Sequence, residues 1–171
     1  MNAPQMSLTE KIRYVLKDIQ PAVEFFLMLR DVLHFWDDLI DLDKPITPGY
    51  INHSMFTALV KLPSNVFYQA HQASLAPVLV NAIANWHAAN EFEAGGDRKQ
   101  LELAFVIRSD YANLLIQSAY LVGGRDWMLE VTPMIRSMWT SEDMNEYLGN
   151  LDAERKARDS AGSAEDLTKG A

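Results

Sequence analysis

The sequence predicts an all-α fold, a compact single-domain bundle of roughly six to eight helices. Three observations carry that expectation. Apolar residues recur at helical spacing through most of the chain. Capping residues, prolines and glycine pairs separate the periodic segments. No run alternates with period two, and no Asn-Gly or Asp-Gly pair marks a hairpin. At 171 residues the chain is long enough to bury a real core. The expected helical domain covers 1–158, and 159–171, polar and small in composition, reads as a disordered tail.

Taken in order, Ser7-Leu8-Thr9-Glu10 reads as a capping box, followed by Ile12, Val15, Leu16 and Ile19 at helical spacing. Pro21 stops this helix and fits the first turn of the next, over residues 22–42, which ends before Pro45. Thr47 and Pro48 form an N-cap and N1 pair for a short helix with Ile51, Met55, Ala58 and Leu59 on one face and His53 at the surface. Ser64 is read as the cap of a short helix through Tyr68 and His71, and Ser74 as the cap of another, with Pro77 in its first turn. From Leu75 to Trp86 no residue is charged, which argues for deep burial and makes Asn81 and Asn85 buried amides in need of partners. Gly95-Gly96 ends that helix. Asp97 caps the longest one, from about Arg98 to Val122, expected to be central. Gly123-Gly124 closes it, a further segment is interrupted at Pro133, and Thr140-Ser141-Glu142-Asp143 begins the last helix, to about Arg158.

The second helix carries the stretch where local sequence works against stability. At about 100° per residue, Arg30, Asp31, His34, Asp37, Asp38 and Asp41 fall within roughly 120° of arc. Asp is a poor helix-interior residue, and Asp37, Asp38, Asp41 and Asp43 crowd the end where the helix dipole disfavours anions. A cation from outside the chain would offset those costs. Asp37 and Asp41 project a turn apart, a separation at which carboxylates share Mg²⁺ with waters and phosphate oxygens. The run Asp37-Asp38-Leu39-Ile40-Asp41, with His34 one turn earlier, resembles the first aspartate-rich motif of the class I prenyl-diphosphate and terpene synthases. The resemblance implies Mg²⁺ and a diphosphate held at these carboxylates. The chain has no second aspartate-rich motif and no N-D-x-x-S-x-x-x-E run. The stretches 35–45, 82–86 and 120–127 are also similar to those of small helical hypothetical proteins of bacteriophages and prophages, a resemblance that implies no activity.

The formal charge of −8 and pI near 4.9 argue against direct nucleic-acid binding, whose affinity comes mostly from Lys and Arg on phosphates. The absence of cysteine excludes disulfides, thiolate metal sites and cysteine nucleophiles. Residues 1–5 lack the basic and apolar regions of a signal peptide, and no apolar run approaches the ~20 residues of a membrane span. The expectation is a soluble, non-secreted, cytoplasmic protein (in the host cell if phage-encoded) without membrane association.

Two functional readings follow. In the first, the chain is a small accessory or structural protein acting through protein–protein interaction. The acidic stripe is then a solvated face or a dock for a basic protein partner, and a homo-oligomer is a further arrangement. In the second it is a Mg²⁺- or Mn²⁺-dependent enzyme acting on a diphosphate or nucleotide. Asp37, Asp38 and Asp41 then hold the metal, His34 is a further ligand or general acid/base, and Arg30 steadies phosphate oxygens. Size, acidity and the missing second motif favour the first.

Overall fold

The computed structural model describes residues 6–41, 45–138 and 143–153. The described residues are α-helical with short connections, and none of them is in a strand. The expected tail at 159–171 and the capping candidates Thr140, Ser141 and Glu142 lie outside the described residues. The helices are α1 (Leu8–Val15), α2 (Gln20–Asp41) and α3 (Pro48–Phe56), the last running through a π turn (Thr57–Lys61) into α4 (Leu62–Ser64). They continue with α5 (Val66–Gly95), α6 (Arg98–Ile107), α7 (Ala112–Ser137) and α8 (144–153). The chain clusters into two compact units, one of residues 1–79 with 112–135, the other of 80–111 with 136–171.

In the first unit, Ser7 and Glu10 close the expected capping box: the Ser7 N–H donates to Glu10 Oε2 at 2.7 Å and the Glu10 N–H to Ser7 Oγ at 3.3 Å. Ile12, Val15 and Leu16 are buried, but Ile19 is exposed, because the chain leaves the helix before reaching it. The stop comes ahead of Pro21, at Lys17 and Asp18, both left-handed with φ of 52° and 53°. The Asp18 N–H donates to the Arg13 carbonyl and the Lys17 N–H to the Tyr14 carbonyl, the paired bonds of a Schellman ending. The Trp127 indole N–H reaches in from α7 to the Val15 carbonyl at 2.9 Å. Phe25, Phe26, Leu29, Leu75, Leu114, Leu115, Val131 and Ile135 complete this core. Tyr68 stacks on Phe25 at 5.4 Å.

Several expectations about the middle of the chain need correction. α5 is one helix where two were read from Ser64 and Ser74. Its start is fixed by Asn65, which is buried; its Oδ1 accepts the Tyr68 N–H at 3.0 Å and its Nδ2 donates to the Pro21 carbonyl at 3.0 Å. Pro77 is accommodated inside the helix. The uncharged stretch is not deeply buried: Leu75, Ala82 and Ala89 form a heptad-spaced buried line, while Val80, Asn81 and Ile83 are exposed. Lack of charge here marks an apolar outer face as well as an inner one.

The expected helix from Arg98 to Val122 is two helices, broken at 108–111. The polar residues of the break supply the reason. Arg108 reaches back to Glu93 at 3.1 Å, Ser109 Oγ donates to the Val106 carbonyl, and Asp110 accepts from Asn85 Nδ2 at 2.7 Å. The Ser109 bond takes a backbone carbonyl and competes with helix continuation, while the other two hold the turn against α5. In α7, Gly124 is non-helical with φ 78° and kinks the helix where Gly123-Gly124 is read as a stop. The second unit has its own core of Leu101, Tyr147, Leu148 and Leu151, with Phe105 and Met144 against it. Asp143 caps α8, accepting the N–H groups of Asn145 and Glu146.

Candidate functional site

The acidic stripe of α2 lies in the first unit, where α2 packs on α3, the π turn and α4. It does not face solvent along its whole length. Asp31 and His34 are exposed, Arg30 and Asp37 are half-buried, and Asp38 retains only 9% of its accessible surface. The Tyr50 hydroxyl donates to Asp38 Oδ2 at 3.1 Å, and the Tyr50 ring sits edge-on to Phe35 at 5.1 Å. A buried carboxylate needs such donors to stay solvated by protein. The side chain of Asp41 lies outside the described residues. Among the described residues no three His, Asp or Glu side chains gather into a set able to hold a metal ion.

The helix facing the stripe is inside-out relative to its sequence pattern. Thr47 caps α3 as expected, its Oγ1 accepting the Tyr50 N–H at 3.2 Å. Tyr50, Ser54 and Thr57, at i, i+4 and i+7, then form a polar line, of which Ser54 and Thr57 are buried. Ile51, Met55 and Leu59, read as the apolar face, are exposed, and so are Phe56 and Val60 beside them. Phe56 keeps 54% of its accessible surface and Leu59 67%. Pro63 has no N–H to give the Leu59 carbonyl four residues back, and the wider π register over Thr57–Lys61 answers that loss.

Between the two helices opens a cleft of about 300 Å³. Asp31 and His34 line it from α2, and Tyr50, His53, Ser54 and Thr57 from α3 and the π turn, with Val32 as its apolar wall. His53 is exposed, as its sequence context suggests, yet it shares this cleft with His34 and Asp31 from a different helix. Sequence reading missed Tyr50, His53, Ser54 and Thr57 as site residues. The signal that would have found the inner three is their own i, i+4, i+7 spacing.

A second polar cluster sits in the other unit. The Tyr147 hydroxyl donates to Glu93 Oε1 at 2.6 Å, and Arg108 donates to the same oxygen at 3.1 Å. Burial, and then the Glu93 carboxylate, push the Tyr147 phenol well above its ordinary range. This cluster ties α5, α6 and α8 together. No protein-family model, curated protein or solved structure matches the chain.

Proposed function

We propose that the protein is an accessory protein that acts by protein–protein interaction, and that its docking face is the outward apolar strip of α3 and the π turn. The observation that carries this reading is the exposure of Ile51, Met55, Phe56, Leu59 and Val60 on consecutive turns. Ile51, Met55 and Leu59 follow one another four apart, with Phe56 and Val60 as a second column. Contiguous exposed apolar surface of this kind marks interaction sites.

Charge selects the occupant. From Pro45 to Asn90 the sequence contains no Asp or Glu, and Lys61 is the one Lys or Arg in that run. Elsewhere the chain is strongly acidic, with 23 Asp and Glu in all. A basic partner would be drawn to the carboxylates that this face lacks. A second copy of the chain, itself at −8, can approach closely only where acids are missing. The occupant that fits is therefore another copy, apolar strip against apolar strip. The stripe on α2 serves less well as a dock, since Asp38 is buried and bonded by Tyr50.

Sedimentation equilibrium of the full chain tests this. Wild type is expected to be dimeric at micromolar concentration, and the Met55→Glu/Leu59→Glu variant, with unchanged helicity by circular dichroism, monomeric. A wild type that stays monomeric to the highest soluble concentration, or a variant that dimerises equally well, refutes the reading.

A further inference from the structure

We propose that the cleft between α2 and α3 binds a small primary amine in its ammonium form. The inference does not rest on self-association. It starts from the charge and donor balance of the lining. Asp31 is the one formally charged residue that lines the cleft, and it makes no ion pair among the described residues. The other polar groups supply acceptors: the imidazoles of His34 and His53 and the hydroxyl oxygens of Ser54 and Thr57. Tyr50 directs its proton to Asp38. No Lys or Arg lines the cleft to recognise an anion.

The second, independent observation is Thr57. It keeps 4% of its accessible surface, lines the cleft, and has a buried hydroxyl with no hydrogen-bond partner. A buried hydroxyl without a partner is costly, and native proteins keep few of them. It also opens the π turn, a helix irregularity that recurs at functional sites. A ligand donor in the cleft relieves that cost once the Thr57 side chain turns its enclosed hydroxyl toward it. An ammonium group has three donors and one positive charge, which matches a lining of one carboxylate and several neutral acceptors. The volume, about 300 Å³, is at the small end of ligand pockets, and Val32 offers a contact for a short alkyl body.

The test is a two-dimensional NMR titration of the full chain with n-butylammonium, with n-butanol as the neutral isostere. Saturable shifts are expected at Asp31, His34, His53 and Thr57 with the amine, and at least about tenfold weaker binding of the alcohol, the worth of one charge-assisted hydrogen bond. Asp31→Asn is expected to weaken the amine by a similar factor. Asp152→Asn, which removes the same charge from an exposed position on α8, is expected to leave binding unchanged. Thr57→Val is expected to weaken the amine several-fold while raising the melting temperature of the free protein, a pairing that a purely structural hydroxyl would not give. The proposal is overturned if the amine gives no saturable shift, if n-butanol binds as well, or if Asp31→Asn binds like wild type. Equal weakening by Asp152→Asn also overturns it, because general attraction to an acidic chain would then explain the binding.

Discussion

At Lys17 and Asp18 the backbone takes a conformation that costs side-chain-bearing residues roughly 1–2 kcal/mol each. The turn persists because its surroundings hold it. The Lys17 ammonium sits over the Trp127 ring at 4.6 Å, Asp18 pairs with Arg13 at 2.8 Å, and the Trp127 N–H takes the Val15 carbonyl that the end of α1 leaves open. Trp127 in turn lies on Gly123, where any Cβ would collide with the indole. Trp127→Phe keeps an aromatic ring but loses the N–H donor and part of the indole volume, so it is expected to cost at least about 1–2 kcal/mol in urea unfolding. Gly123→Ala is expected to cost about 1–3 kcal/mol by displacing the indole. Both losses should shrink together in the double variant, since they act through one contact. Glu10 adds a pH dependence at the other end of α1. Its hydrogen bonds from Ser7 hold its carboxyl below the usual value of 4.5, so the native state favours the ionised form. Its stabilisation is present above the unfolded value and is lost as pH falls through the folded one. Glu10→Gln should therefore flatten the acid limb of the melting-temperature profile.

At the level of elements, the capping chemistry was the most legible part of the sequence. Ser7, Thr47 and Asp97 cap the helices assigned to them, and Gly123-Gly124 marks a real break. Caps are local, so the residues that make them are neighbours in the chain. The misreadings occurred where a distant residue decides the outcome. Asn65 outcompetes Ser64 and Ser74 as the start of α5 because it also bonds the Pro21 carbonyl 44 residues away. Asn65→Ala is expected to cost about 2 kcal/mol, more than an isolated cap, because the part-buried Pro21 carbonyl loses its donor as well. At the break at 108–111, Arg108 and Asp110 likewise bond Glu93 and Asn85, partners that no local pattern announces. In the candidate cleft, Asp31 and His34 were legible as part of an acidic stripe. The facing wall was not, because periodicity assigns apolar residues inward and α3 turns its polar line in instead. The Tyr147 cluster makes the second unit sensitive to alkali. With its phenol raised above the unfolded value near 10, Tyr147 stays neutral in the fold while the unfolded chain ionises, so stability is full below pH ~10 and falls as pH rises toward the folded value. Tyr147→Phe should remove that alkaline loss while lowering stability at neutral pH.

For the molecule as a whole, the decisive feature is how unevenly its charge is spread. The apolar strip lies in an acid-free run of sequence, Pro45 to Asn90, in a chain at −8, so the strip itself brings no carboxylate against a like molecule. Beyond that face the two copies still repel through their remaining carboxylates, and salt screens that repulsion: the Debye length falls from about 10 Å at 0.1 M to about 3 Å at 1 M. The apolar contact itself does not weaken as salt rises. Self-association through α3 should therefore tighten several-fold between low and high NaCl, with the dimer dissociation constant read by sedimentation. Docking of the acidic stripe onto cationic groups would respond in the opposite sense, because salt weakens opposite-charge pairs. A dimer that tightens with salt and is lost in Met55→Glu/Leu59→Glu places the interface on the apolar strip. One that loosens with salt returns the interface to the carboxylates of α2.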